Sequence, residues 1–236
     1  MHVGDGINKG RANWDFGGDV ADNFVPHVRK SVPLYDEGHE LICQLSDFFC
    51  QKDSVCYELG ASTGQLIGKL AQHNAQKPQI RWIGLDLEAN MIDKARVYCK
   101  DIPNVEFMVD DILTCDMEKA DFIVAYYCVQ FISERHRQEL FNKIYERLNW
   151  GGAFVLFEKV RAPDARFQDM MTGLYTDFKI RNGFSPEEIL GKAQSLKGVL
   201  DPFSTDGNLG LLKRAGFVDV MTVMKYVCFE GFLAIK

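Results

Sequence analysis

No apolar run in this 236-residue chain approaches the roughly 18 residues needed to cross a bilayer, and its opening residues lack a basic stretch followed by an apolar one. Secretion and membrane insertion are therefore not expected. Metal-ligand spacing is missing as well. His2, His27, His39, His73 and His136 are scattered, and the seven cysteines (43, 50, 56, 99, 115, 128 and 228) form no C-x-x-C pair, so no zinc or iron site is expected. An odd set of cysteines, mostly in apolar stretches, reads as free thiols in a reducing compartment, which makes the cytoplasm the expected location. Positive charge is also short. Lys and Arg number 27 against 33 Asp and Glu, a formal charge of -6, which weighs against nucleic acid because backbone attraction comes from neutralising phosphates. Arg135, Arg137, Arg161, Arg166, Lys179 and Arg181 read as a solvated helix surface. A small-molecule partner remains, with no membrane involved.

What is present is an ordinary globular balance, 47% apolar and 25% charged, in a length that one α/β domain can fill. From about residue 54, short apolar runs alternate with amphipathic stretches, the pattern of a parallel sheet wrapped by helices. Strands are predicted at 54–59, 80–86, 105–109, 120–127 and 153–158, each apolar enough for burial on both faces. Helices are predicted at 62–72, 88–99 and 133–148 between them. Residues 1–50 read as N-terminal cap helices (23–30 and 36–49) broken at Pro33. Residues 161–200 read as a helical lid insertion (163–181 and 186–197), with Ser185 and Pro186 as its second start signal. A helix at 207–215 and runs at 217–223 and 226–235 close the chain as an antiparallel hairpin. One domain, 1–236, is expected.

The sharpest local feature is the apolar run Val55–Leu59 ending in Gly60-Ala61-Ser62-Thr63-Gly64 before a helix. Such a turn lets a ligand approach Gly60, and the helix start at Ser62 to Gln65 should offer free N–H donors. Asp86 ends the next strand, where a ribose would lie, and Asp111 with Ile112 follows the third, suited to an adenine. Each aspartate has a competing reading as a helix cap. The spacing Gly60-x-x-x-Gly64 differs from the G-x-G-x-x-G of dinucleotide folds, which argues against a nicotinamide dehydrogenase. Glu58, two residues before Gly60, suits an amino acid-bearing nucleoside or, equally, a carboxylate tied to a helix.

With Ser31-Val32-Pro33-Leu34-Tyr35, Gln130-Phe131, Lys143-Ile144-Tyr145, Gly151-Gly152-Ala153, Phe157-Glu158-Lys159, Asp177-Phe178-Lys179 and Asn182-Gly183-Phe184-Ser185, these motifs resemble the class I S-adenosylmethionine-dependent methyltransferases, in the branch of carboxy-S-adenosylmethionine synthase. The resemblance implies a Rossmann-like fold with a mostly parallel seven-stranded sheet, S-adenosylmethionine as cofactor and a homodimer. It implies that Tyr35, Gly60, Ala61, Ser62, Asp86, Leu87, Asp111 and Ile112 line the cofactor site. This chain departs from the synthase pattern at Tyr126, where an asparagine is implied, and at Ala193, where an arginine holding the extra carboxylate is implied. Alanine cannot reproduce that bidentate grip, so ordinary S-adenosylmethionine is the expected ligand. An aromatic set of Tyr35, Tyr126, Tyr127, Phe131, Tyr175 and Phe178 suits a sulfonium cation, although Tyr127 and Phe131 read more readily as core.

Methylation of a small-molecule acceptor is the expected reaction, with Tyr126, Tyr175, Glu158 and Asp177 as candidate catalytic residues. The alternatives are closure of the cofactor's own chain to azetidine-2-carboxylate with release of methylthioadenosine, a carboxy-S-adenosylmethionine synthase-like role in tRNA modification, and a binding module without activity.

Overall fold

The computed structural model describes residues 1–17, 20–77 and 79–236. Its elements, in chain order, are α1 (Val20–Ser31), α2 (Tyr35–Phe49), β1 (Val55–Leu59), α3 (Gln65–His73), β2 (Arg81–Asp86), α4 (Ala89–Tyr98), β3 (Val105–Val109), β4 (Ala120–Tyr126), α5 (Glu134–Arg147), β5 (Leu148–Lys159), α6 (Ala165–Arg181), α7 (Pro186–Ser195), α8 (Thr205–Ala215), β6 (Asp219–Tyr226) and β7 (Phe229–Ile235). A short 3-10 turn, Val129–Phe131, follows β4.

The seven strands order as β3-β2-β1-β4-β5-β7-β6. β1 to β5 run parallel, and β7 lies antiparallel between β5 and β6. The order reverses between β1 and β4, which opens a crevice at the carboxyl ends of those strands. Apolar layers fill both faces. Ile123, Leu140, Phe141, Ile144, Phe154, Leu212 and Phe232 pack on the α5/α8 side, while Ile42, Leu66, Ile67, Leu70, Phe122, Val155 and Phe157 pack on the α2/α3 side. Each fully buried large side chain contributes roughly 1.5–3 kcal/mol. Gly231 is required by this packing, because a Cβ there would lie 2.5 Å from the Phe157 ring.

Three expectations are corrected. β3 is not buried on both faces: it is an edge strand paired only with β2, and Met108 and Val109 are 41% and 46% exposed. β5 begins at Leu148 rather than Ala153, because Leu148 pairs with Ala120 and the chain passes so close at Gly152 that a Cβ would sit 2.9 Å from the Asp121 carbonyl. Residues 1–17 are not bare approach to the cap helices. Bridges His2–Asn8 and Gly10–Asn13 fold them back, and Ala12 and Trp14 N–H groups donate to the Gln194 and Ser195 carbonyls at 3.0 and 3.2 Å. Val3, Ile7 and Trp14 join Val20, Ala21 and Met91 in a third apolar cluster.

Both α6 and α7 have capped starts, and that of α7 lies at the predicted Ser185-Pro186 signal. Asp164 caps α6 by accepting from Phe167 N–H, and Ser185 and Glu188 form a reciprocal capping box with Pro186 in the first turn of α7. On α6, Ala165, Gln168, Thr172 and Tyr175, spaced by three and four residues, line the crevice.

Candidate functional site

The crevice is a cavity of ≈ 950 Å³ bounded by the carboxyl ends of β1 to β5, the start of α2, the segment around Trp14, and α6 and α7. Its first wall is the turn after β1. Gly60, Ser62 and Gly64 all take positive φ (74°, 49° and 76°). At Gly60 a Cβ would lie 2.5 Å from Cys128 Sγ, so only glycine lets the chain turn there. Gly60 and Ala61 N–H both donate to the Leu85 carbonyl at 2.8 Å, which pins the turn to β2.

The expected free donors at Ser62 to Gln65 are partly committed. Ser62 N–H donates to Asp86 Oδ2 at 2.8 Å and Gly64 N–H to the Ala61 carbonyl at 2.9 Å. Asp86 Oδ1 also accepts from Glu88 N–H at 3.0 Å. Glu58 Oε2 accepts from Ile67 N–H at 2.9 Å, which realises the helix-tied reading of this carboxylate while it still lines the cavity. Burial pushes the Glu58 carboxyl well above its ordinary range and raises Asp86, in both cases more than the hydrogen bonds from backbone N–H lower it. Asp111 Oδ1 accepts from Leu113 N–H at 2.9 Å, and Ile112 is buried beside it. Tyr35, Ala61, Leu87 and Asp111 line the cavity with Gly60, Ser62 and Asp86, so the residues expected at a cofactor site come together.

These residues fit S-adenosylmethionine on features of the chain itself. Thr63 Oγ1 is buried in the turn without a hydrogen-bond partner among the described residues. Glu58 and Asp86 are desolvated, and among the described residues no cationic side chain offsets their burial. A cationic ligand stabilises such carboxylates.

The catalytic candidates divide. Tyr126 and Tyr175 line the cavity, but each hydroxyl is committed to the main chain: Tyr126 donates to the Tyr35 carbonyl at 2.7 Å and Tyr175 to the Ser31 carbonyl at 2.8 Å. Burial raises both phenols far above their ordinary value. Glu158 and Asp177 fall outside the cavity lining. Glu158, on β5, is buried and pushed up to about 8 chiefly by desolvation, with Oε1 unpartnered among the described residues. Asp177 is exposed on the outer side of α6. Phe178 stacks on Tyr175 at 6.4 Å without lining the cavity, whereas Tyr127 and Phe131, expected in the core, do line it.

The solvated basic surface is also corrected in part. Arg137 is 1% exposed and donates to the Ile132 and Gln130 carbonyls, and Lys179 is 8% exposed and faces the cavity. Lys159 and Lys179 Nζ stand 4.6 and 4.4 Å from the Tyr175 ring centre. Burial first, and neighbouring lysines second, lower Lys179 to about 8 and Lys192 to about 7. That Lys159, Lys179 and Lys192 share a wall with His27, Ser31 and Trp14 is not legible in the sequence, because they are isolated residues from distant segments.

A family described as a methyltransferase domain matches residues 57–152. A carboxy-S-adenosyl-L-methionine synthase of Staphylococcus epidermidis is 33% identical over 98% of this chain and 100% of its own length. Another of that name, from Campylobacter jejuni, is 35% identical over 96% of this chain and 95% of its length. Among solved structures, an O-methyltransferase family protein from Burkholderia thailandensis superposes with a TM-score of 0.65 at 16% identity, covering 92% of this chain and 59% of that one. Human N-acetylserotonin methyltransferase in complex with S-adenosylmethionine superposes with a TM-score of 0.57 at 15% identity, covering 94% of this chain and 61% of its own.

Proposed function

The chain belongs to the class I S-adenosylmethionine-dependent methyltransferase family, beside the carboxy-S-adenosyl-L-methionine synthases, and from that premise we propose that it methylates a small-molecule acceptor seated between the turn and the lid. The observation that carries this reading is the size and composition of one cavity. At ≈ 950 Å³ it lies near the upper end of the ~300–1,000 Å³ of ligand pockets, which leaves space for an acceptor beside the nucleoside. Acidic groups line the side formed by β1, β2 and the loop after β3; Lys159, Lys179 and Lys192 line the side formed by β5 and the lid.

Bound S-adenosylmethionine supplies an electrophilic carbon on a sulfonium. The residues of the chain bind and orient. In this reading Asp86 takes the ribose hydroxyls, Asp111 and Ile112 the adenine, and Glu58 the positively charged end. The rings of Tyr126, Tyr127 and Tyr175 enclose the space between the two walls and exclude water, so orientation of the acceptor supplies most of the acceleration. Lys159 and Lys179 favour an acceptor with negative charge. The net charge of -6 supports a small acceptor over a nucleic acid. The reading includes the homodimer implied by the family, which light scattering of the purified protein tests.

Two other outcomes have specific support. The aromatic wall favours intramolecular ring closure of the cofactor, and the relatives' printed name favours carboxy-S-adenosylmethionine formation. Against the latter stands Ala193, which lines the cavity on α7 and offers no bidentate grip. Incubation with S-adenosylmethionine, alone and with a panel of small anionic acceptors, separates the three. S-adenosylhomocysteine formed only with an acceptor supports methylation. Methylthioadenosine formed without one supports ring closure, and a carboxylated nucleoside in the mass spectrum supports the synthase reaction.

A further inference from the structure

Lys192, on α7, meets a chain of groups from the other end of the molecule. Its Nζ lies 2.5 Å from His27 Nε2 and donates to Ser31 Oγ at 2.8 Å. On the far side of the imidazole, His27 Nδ1 lies 3.0 Å from Asp5 Oδ2, and the other Asp5 oxygen pairs with Lys30. Hydrogen-bond roles along this chain are fixed by chemistry. The Asp5 carboxylate is an acceptor, so Nδ1 carries the imidazole proton and Nε2 is an acceptor toward Lys192. Ser31 Oγ donates its own proton to the His27 carbonyl at 2.8 Å, so it too accepts from Lys192. An uncharged Lys192 has two N–H bonds, and these two acceptors take both. The remaining tetrahedral position holds the lone pair, and Lys192, His27 and Ser31 all line the cavity.

Resting on the transfer reading above, we propose that Lys192 is the proton acceptor of the reaction, its amine oriented by Ser31 and by the Asp5–His27 pair. The acceptor's X–H bond breaks and its proton passes to Lys192 Nζ. The X–H electron pair forms the new X–C bond, and the electron pair of the broken C–S bond stays on sulfur as the thioether. The resulting ammonium returns its proton to water when product leaves. Intramolecular ring closure would use the same base, with X the nucleoside's own ammonium nitrogen.

The surroundings favour the neutral amine. Desolvation leads, and among the described residues the charges facing Lys192 are Lys179 from α6, Lys159 from β5, and the anion Asp5, itself shared with Lys30 and His27 on α1. His27 is held uncharged, lowered to about 4 mainly by burial, and so faces Lys192 as a neutral acceptor. Trp14 and Phe184 rings, 5.3 and 6.0 Å from Nζ, fill space that water would occupy. A bound sulfonium adds one more like charge and works in the same direction.

Two measurements on the full chain test this. Competitive acylation with acetic anhydride between pH 5 and 10, read at Lys192 by peptide mass spectrometry, should give half-maximal reactivity near pH 7, about three and a half pH units below an ordinary lysine. A half-point near 10, or an amine that stays unreactive throughout, overturns the proposal. Consumption of S-adenosylmethionine to either thioether should fall below pH 7 in the parent protein and drop ~100-fold or more in Lys192→Arg and Lys192→Ala. Both variants should keep S-adenosylmethionine affinity within about threefold, and added methylamine should partly rescue Lys192→Ala, which a purely structural lysine would not show. Full activity in Lys192→Arg would overturn the base. A normal low half-point in a chain that binds S-adenosylmethionine but never consumes it would count against the transfer reading and leave the neutral amine standing.

Discussion

At the scale of the residue, the turn after β1 was legible because all of its information is local. Gly60 and Gly64 bracket a strand-to-helix turn, and the positive φ and the Cys128 contact explain why glycine stands at 60. Gly60→Ala should weaken S-adenosylmethionine binding at least tenfold in a titration, since the added Cβ collides with Cys128 and reshapes the cradle. Glu158 shows the opposite case. Its place at a strand's end suggested catalysis, but burial decided its role, which no local pattern reveals. Its folded-state value of about 8 lies above the unfolded value near 4.5, so its ionisation cost appears above pH 4.5 and grows toward pH 8. Glu158→Gln should therefore raise thermal stability by a few kcal/mol at pH 8, with the difference vanishing below pH 4.5. A pH-independent difference would contradict this account.

At the scale of the element, the strands and helices of the core followed from periodicity, and the start of α7 from Ser185 and Pro186. The failures have a common cause: they depend on neighbours. β3 is apolar in sequence yet lies at the sheet edge, and residues 1–17, which carry no helical or strand period, are ordered by docking on α7. Gly191 makes that docking possible, because a Cβ there would lie 2.3 Å from the His2 carbonyl. Gly191→Ala should unseat the N-terminal segment, seen as faster hydrogen exchange or proteolysis within residues 1–17. S-adenosylmethionine affinity should change little, because the cradle lies on β1, β2 and the loop after β3. Tight protection of the segment in that variant would show that its contact with α7 is not what orders it.

At the scale of the whole molecule, the topological reversal between β1 and β4 places one cavity between segments far apart in sequence. The cradle is built from residues within about one third of the chain, and so could be read as a motif. The basic wall is not: Lys192 and His27 are 165 positions apart, and only the fold brings them into contact. The most direct test of the central claim is calorimetric titration of the purified protein with S-adenosylmethionine and S-adenosylhomocysteine, repeated on Asp86→Ala. The account predicts one site per chain for both nucleosides and a loss of roughly ten- to a hundredfold in the variant, the worth of a hydrogen bond to a charged group. A protein that takes up neither nucleoside, or an Asp86→Ala variant that binds both as tightly as the parent, would contradict it.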